Sequence, residues 1–104
     1  MRGAGGGRAD FTHRAEMGFT HRELLKGLPA AVAPFRIERH SDLVYRLQHK
    51  NRRVVLTLKP ETSRPIAAIR VPVTAVKLEF FGFSEARFEG FMSRYKRYLH
   101  KGGG

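Results

Sequence analysis

The chain has 104 residues, and its 20 Lys and Arg outnumber its 9 Asp and Glu to give a formal net charge of +11. This length fits one domain, and a positive excess this large is typical of proteins with an anionic partner, because like charges only repel one another in a purely structural domain. The absence of Cys excludes disulfides, thiol catalysis and thiolate metal sites. No apolar run approaches the ~20 residues that cross a bilayer, so a membrane is not an expected partner. The lack of Cys fits a reducing cytosol and no apolar stretch follows Arg2 and Arg8 as in a signal peptide, so we expect a cytoplasmic protein.

Residues 1–16 are predicted to be a flexible N-terminal extension. Glycine is frequent at the very start, and no apolar periodicity follows it. The tetrapeptide FTHR occurs at residues 11–14 and again at residues 19–22. Only the second copy continues into a helix start, because Glu23 follows it, whereas Ala15 follows the first copy. A binding role for the duplicated tetrapeptide is the alternative interpretation.

A first helix is predicted at residues 21–28. Thr20 can cap it and Glu23 can reach back to the Thr20 backbone, which together make a capping box. Its apolar stripe consists of Leu24, Leu25 and Leu28. Pro29 either ends this helix or begins one more turn at residues 30–32, because proline is tolerated at the first position of a helix but not in its interior.

Alternating apolar residues in the middle of the chain predict four or five strands, which short turns make antiparallel neighbours. Their apolar faces contain Phe35 and Ile37, then Leu43, Tyr45 and Leu47, then Val54, Leu56 and Leu58, then Ile69 and Val71, and finally Val76, Leu78 and Phe80. Turns are predicted at residues 40–42 and 49–52, and a loop at residues 60–65. Pro72 cannot donate to a strand ladder, so residues 66–80 form either one bent strand or two short ones, with an edge or a bulge at the proline.

A second helix is predicted to begin after Ser84 and to end at Gly102, in a single domain that spans residues 17–101. Its apolar stripe consists of Phe88, Phe91, Met92, Tyr95, Tyr98 and Leu99. Two amphipathic helices need one sheet face to cover. We therefore expect an α+β fold, a two-layer sandwich whose antiparallel sheet of four or five strands carries an N-terminal and a C-terminal helix on one face. Residues 102–104 are predicted to be a flexible glycine tail.

The uncovered face of this sheet is predicted to be basic. Strand alternation places six cations there, namely Arg36, Arg46, Arg53, Lys59, Arg70 and Lys77. Glu38 and Glu79 fall on the same face, so positive charges remain in excess there. Lys50 and Arg52 extend the basic path at the tip of a hairpin. These eight cations are predicted to contact the phosphates of DNA or RNA without reading the base sequence.

Two other interpretations of these charges stay open. Each basic cluster has a structural explanation, because Lys and Arg on an exposed sheet oppose aggregation and basic residues near a helix end complement the helix dipole. Alternatively, the same face belongs to a protein-interaction or homodimerisation module with an acidic protein partner. Val44, Val55 and Ala68 would then form its apolar centre.

No arrangement of residues typical of an enzyme is found, and we expect no catalytic site, metal, cofactor or small-molecule substrate. His40 and His49 border turns on either side of one strand, but a zinc site needs further ligands. A dinucleotide-binding loop follows a strand and opens a helix, whereas the glycines near the amino terminus follow no predicted strand. A diglycine end at residues 102–104 is typical of carrier proteins, but helices at both ends of the domain do not fit the order of elements in those proteins.

Overall fold

Six strands and two helices make up the computed structural model, which describes residues 8–100. In chain order they are β1 (Phe11–Met17), α1 (His21–Val32), β2 (Arg36–Arg39), β3 (Val44–His49), β4 (Arg52–Leu58), β5 (Thr62–Ile66), β6 (Ile69–Phe81) and α2 (Glu85–Tyr98). The predicted glycine tail at residues 102–104 and the first seven residues of the predicted extension lie outside the described residues.

An antiparallel sheet carries both helices on one face. Its strand order is β1-β6-β4-β3-β2, and β5 lies off this path and pairs with the first part of β6. Inward residues of the strands and of both helices form one buried cluster. The predicted α+β sandwich with an N-terminal and a C-terminal helix is therefore confirmed, with six strands rather than four or five.

The flexible extension predicted for residues 1–16 is wrong from residue 11 onward, because this segment forms β1 at an edge of the sheet. β1 pairs with β6 along its whole length. The Phe11 ring stacks on the Phe88 ring of α2, with 4.4 Å between the centroids. Just before the strand, Asp10 Oδ2 accepts hydrogen bonds from the backbone N–H groups of the two residues that follow β6, at 2.7 and 3.1 Å. Partners distant in the chain hold this segment, so its own sequence does not reveal the strand.

α1 is one continuous helix of 12 residues rather than two pieces separated at Pro29. The predicted capping box is present, since the Glu23 N–H donates to Thr20 Oγ1 and the Thr20 N–H donates to Glu23 Oε1, both at 3.0 Å. Its buried residues are Leu24, Leu28, Ala31 and Val32. This stripe passes Pro29 without interruption, so its burial outweighs the backbone hydrogen bond that the proline removes.

β5 and the start of β6 form a two-stranded arm that extends beyond the main sheet. The loop predicted at residues 60–65 is wrong, because β5 occupies this segment and pairs with residues 69–73 of β6. Ala67 lies in the turn at the tip of the arm, with a φ of 55°. Residues 61–70 are all exposed, and the molecule measures 50 Å along its longest axis.

β6 runs without a break over 13 residues, so the stretch 66–80 contains one strand of the main sheet and not two. Its pairing with β1 begins at Thr74, and Pro72 lies before that point, opposite β5. The proline thus lies where β1 no longer pairs with β6, which is the edge position that its missing N–H predicts.

Phe80 of β6 is the centre of the core. It is fully buried, and its ring meets the rings of three other phenylalanines edge to face, at centroid distances of 5.0, 4.8 and 5.1 Å. The three partners are Phe83, Phe88 and Phe91. Such pairs contribute roughly 0.5–1.5 kcal/mol each beyond the burial of their area. The pairs with Phe88 and Phe91 fix α2 on this face of the sheet.

We expect Gly82→Ala to lower the free energy of unfolding by roughly 1–3 kcal/mol. Gly82 has a φ of 82°, and a Cβ at this position would lie 2.6 Å from the carbonyl oxygen of Asn51. Gly90 is the matched control, because it is exposed in α2 and a Cβ there would meet no heavy atom within 4 Å. Gly90→Ala should stabilise the protein by up to about 1 kcal/mol. Urea denaturation measures the free energy of unfolding of both variants. If both substitutions changed it in the same direction, the expected difference between Gly82 and Gly90 would be wrong.

A chain that begins at Met17 should lose its cooperative unfolding transition, because it lacks the strand that flanks β6 and the ring that stacks on Phe88. Phe11→Ala is a milder variant that keeps the strand, and it should lower the free energy of unfolding by about 2 kcal/mol. Thermal melting followed by circular dichroism measures both. A shortened chain that melts at the temperature of the full chain would show that β1 does not stabilise the sheet.

Candidate functional site

The sheet face opposite the two helices is here named the open face. In spatial order of the strands its residues are Thr12, Arg14 and Glu16; Ala75, Lys77, Glu79 and Phe81; Arg53, Val55 and Thr57; Val44, Arg46 and Gln48; and Arg36 and Glu38. They alternate along each strand with the residues that face the helices. Four of the predicted cations lie on this face, namely Arg36, Arg46, Arg53 and Lys77.

Lys59 lies at the end of the open face nearest the arm, directly after β4. Its backbone N–H donates to the Ala75 carbonyl at 3.0 Å. Lys59, Arg14 and Lys77 line a groove of about 670 Å³, together with Glu16. The structure therefore places Lys59 beside the predicted cation Lys77, at the edge of the face.

Arg70 and Ala68 lie in the arm, which corrects their predicted places on the open face. Arg70 is an odd number of positions from Lys77 along the unbroken β6, so the two side chains leave the strand on opposite sides. Arg70 Nε donates to Ser63 Oγ of β5 at 2.9 Å, and Ala68 lies in the turn of the arm. The prediction fails because it restarts the alternation at Pro72, whereas the strand continues through the proline.

Arg14 is a cation of the open face that the sequence prediction missed. It lies on β1, opposite Lys77 in the register with β6, and it is exposed. Glu16 beside it pairs with Arg64 of the arm, with 2.7 Å between Oε1 and Nη2. The available signal was a period of two in Phe11, His13, Ala15 and Met17, but two of these four residues are only weakly apolar.

Two ion pairs neutralise part of the open face. Arg36 Nη2 lies 3.2 Å from Glu38 Oε2, and Lys77 Nζ lies 3.7 Å from Glu79 Oε1. Both pairs are partly exposed to solvent, so each contributes less than about 1 kcal/mol. A phosphate group can therefore replace either carboxylate with the loss of only a small free energy of interaction.

Arg14, Arg46 and Arg53 have no acidic partner among residues 8–100. The Arg53 guanidinium lies 4.5 Å from the centroid of the Phe81 ring. Its Nε is buried and has no hydrogen-bond partner in the same part of the chain, so stacking on the ring orients this side chain. These three arginines are uncompensated positive charges of the open face.

Lys50 and Arg52 lie on the helix-bearing side of the molecule, which corrects their predicted place on the basic path. Arg52 follows the inward alternation of β4, and its guanidinium carbon lies 5.5 Å from the Phe35 ring centroid and 5.8 Å from that of Phe83. Lys50 lies in the β3–β4 turn, with a φ of 55°. Both residues line a polar cavity of about 310 Å³ together with Arg87 of α2. Sequence alternation cannot show this cluster, because it depends on where α2 packs.

The charges of Lys50, Arg52 and Arg87 lie close enough to lower pKa values in their surroundings, namely those of Arg52 and of the neighbouring His49. Partial burial, and then the charge of Arg87, lowers the pKa of Arg52. Partial burial also lowers the pKa of His49 from 6.5, and the charges of Arg52, Lys50 and Arg87 lower it further. His49 is therefore neutral at pH 7, although it lies beside three cations.

Within residues 8–100, no three His, Asp or Glu side chains come together in an arrangement that could hold a metal ion. His40 precedes β3 and His49 ends it, so the strand separates them. In the same part of the chain, neither helix is long and apolar enough to cross a bilayer.

No protein-family model matches the chain, and no curated protein matches it. The inference of function therefore depends on the residues of the two basic surfaces.

The free energy of unfolding should decrease as the pH falls from about 7.5 to 5.5. The fold lowers the pKa of His49, and it lowers that of His13 through partial burial and the nearby charge of Lys96. The unfolded chain then binds more protons than the folded chain in this window, so acid favours unfolding. Chemical denaturation at several pH values and constant ionic strength measures the effect, and His49→Gln should reduce it. A denaturation midpoint that does not change with pH in this window would contradict both lowered pKa values.

Proposed function

We propose that the protein is a non-enzymatic, cytosolic domain that binds a polyanion through its open face, and that this polyanion is the phosphate backbone of DNA or RNA. The supporting observation is that Arg14, Arg46 and Arg53 lie on a face that neither helix covers and have no acidic partner in the described part of the chain. Uncompensated like charges do not stabilise a folded domain. Each of them would, however, release counterions on contact with a phosphate.

The extent of the open face is compatible with several phosphate contacts at once. Five neighbouring strands at a spacing of ~4.8 Å make a surface roughly 20 Å across. Duplex DNA carries one charge per ~1.7 Å, so a stretch of this length presents roughly a dozen phosphate charges. The proposed contacts are Arg14, Arg36, Arg46, Arg53, Lys59 and Lys77. They are distributed over all five strands, so the whole face would take part.

Recognition of base sequence is not part of the proposal. Binding through stacked bases needs exposed aromatic side chains. Phe81 is the one aromatic residue of the open face, and Arg53 lies over its ring. Small side chains such as Val55 and Thr57 occupy the space between the cations. We therefore expect binding that is independent of sequence and strongly dependent on salt.

An acidic protein partner, or a second copy of this chain, is the alternative. The half-buried Val44 and Val55 lie on the neighbouring strands β3 and β4 at the centre of the open face. They form a smaller apolar centre than predicted, because Ala68 lies in the arm. A dimer in sedimentation equilibrium that is unaffected by added nucleic acid would favour this alternative.

Affinity for mixed-sequence duplex DNA and RNA should fall steeply between ~50 and ~300 mM salt. Arg46→Gln and Arg53→Gln should each reduce the slope of log affinity against log salt for duplex DNA by about 0.9, because each removes one phosphate contact. Arg97→Gln removes the same charge from an exposed position on α2 and should leave the slope unchanged.

Fluorescence anisotropy with labelled duplexes measures these slopes. No detectable binding at ~50 mM salt would overturn the proposed function. An equal change of slope in Arg97→Gln would show a general effect of net charge rather than contacts on the open face.

A further inference from the structure

Two adjoining cavities lie on the helix-bearing side of the molecule, at the end of the sheet marked by the β3–β4 turn. One, of about 310 Å³, lies between this turn and the start of α2. The other, of about 360 Å³, lies between the end of α1 and α2. Arg52 and Arg87 line both cavities, so the two adjoin at these arginines, and together they are named the helix-side groove.

The two halves of the helix-side groove differ in chemistry. The polar half is lined by Lys50, Asn51, Gly82 and Ser84 in addition to the shared arginines. Apart from the shared arginines and Arg94, the second half is apolar, with Ala31, Pro34, Phe35, Ala86 and Phe91 among its lining residues. Pockets of a few hundred Å³ that combine an apolar surface with a few charged groups are typical of sites for small organic ligands.

The side chains that line the helix-side groove are positively charged or neutral. The cations that line it are Lys50, Arg52, Arg87 and Arg94, and no acidic residue lines either half. None of these four cations has an acidic partner within residues 8–100. Glu85 and Glu89 are two positions from Arg87 along α2, which is ~160° around the helix axis, so they lie on its other side.

Two of these arginines are held in place without a ligand. Arg52 stacks on two phenylalanine rings. Arg94 Nε donates to the Ala30 carbonyl at 2.8 Å, and its guanidinium carbon lies 4.6 Å from the Tyr98 ring centroid. Side chains that are already fixed lose less conformational entropy when a ligand binds.

Side chains supply the charged groups of the groove, and several backbone N–H groups near the start of α2 already have acceptors within the protein. Ser84 Oγ accepts the Arg87 N–H at 3.2 Å, and Asp10 accepts the two backbone N–H groups that precede Ser84. The charge of Arg87 also contributes to lowering the pKa of Arg52, which is the mark of repulsion between the two guanidinium groups. An anion between them would remove this repulsion.

We infer that the helix-side groove is a second anion site, which binds a phosphate monoester that carries a ring. The phosphate would lie among Lys50, Arg52 and Arg87, whose charged donors form short, strong hydrogen bonds with phosphate oxygens. The ring would lie against the apolar half. A free mononucleotide and the phosphorylated end of a nucleic acid strand present this same chemistry. The groove lies on the opposite side of the sheet from the open face, so this inference does not rest on the proposed function.

Titration with adenosine 5′-monophosphate, adenosine and inorganic phosphate tests the inference by calorimetry and NMR. The nucleotide should bind at least about tenfold more tightly than adenosine or phosphate alone, because only the nucleotide fills both halves. Bound phosphate should raise the pKa of His49, since that ring lies beside the cations that lower it. Arg87→Gln should weaken nucleotide binding by about tenfold or more. Arg97→Gln, at an exposed position of α2 that lines neither cavity, should leave it unchanged.

Equal affinity for adenosine and the nucleotide, a His49 pKa that does not move, or full nucleotide binding by Arg87→Gln would overturn the inference. Single strands with and without a 5′-phosphate distinguish the two sources of the ligand. If the phosphorylated strand binds more tightly, and Arg87→Gln abolishes this difference, the groove binds strand ends. If the two strands bind equally while the nucleotide binds tightly, the groove binds free nucleotides. The salt slope for duplex DNA, measured with Arg46→Gln, tests the open face separately, so failure of one site is distinguishable from failure of the other.

Discussion

The unbroken pairing of β6 is the constraint on which the rest of the structure depends. This strand is hydrogen-bonded to β1, β4 and β5, and its Phe80 anchors α2 through ring contacts with Phe88 and Phe91. Because the alternation continues along all 13 residues, one strand decides which side chains of its neighbours face the helices. A slip of one residue would turn Lys77 toward the core and Phe80 toward solvent. The register of β6 therefore determines both which residues form the core and which residues form the open face.

Local patterns predicted the parts of the fold whose causes are local. The capping box at Thr20, the apolar stripes of both helices and the period of two in β2 to β4 all lie within short stretches of chain. The tetrapeptide FTHR shows the limit of such patterns, because residues 11–14 are extended in β1 and residues 19–22 begin α1. The same side chains adopt two backbone conformations, since β6 pairs with the first copy and Glu23 caps the second.

The candidate site was predicted only where alternation alone decides which way a side chain points. Arg46 and Arg53 lie on strands whose two faces are easily distinguished, and both were assigned correctly to the open face. Arg14 was missed and Arg70 misplaced, because their faces depend on a long-range pairing and on the continuity of β6. Lys50 and Arg87 line the same cavity because α2 packs against the end of the sheet, and no local sequence pattern predicts this packing. The positive charge is therefore divided between two sides of the molecule.

The arm also determines how the molecule moves through water. The radius of gyration of the molecule, 14.3 Å, exceeds the ~13 Å of a compact domain of this length. The principal extents of the molecule are 50 × 24 × 20 Å. A particle of this shape experiences more friction than a sphere of equal mass and tumbles more slowly about its short axes. Elution from a column calibrated with spherical standards will therefore overstate the 11.8 kDa mass, and a single chain will resemble a larger particle. Light scattering, which reports mass without regard to shape, avoids this error.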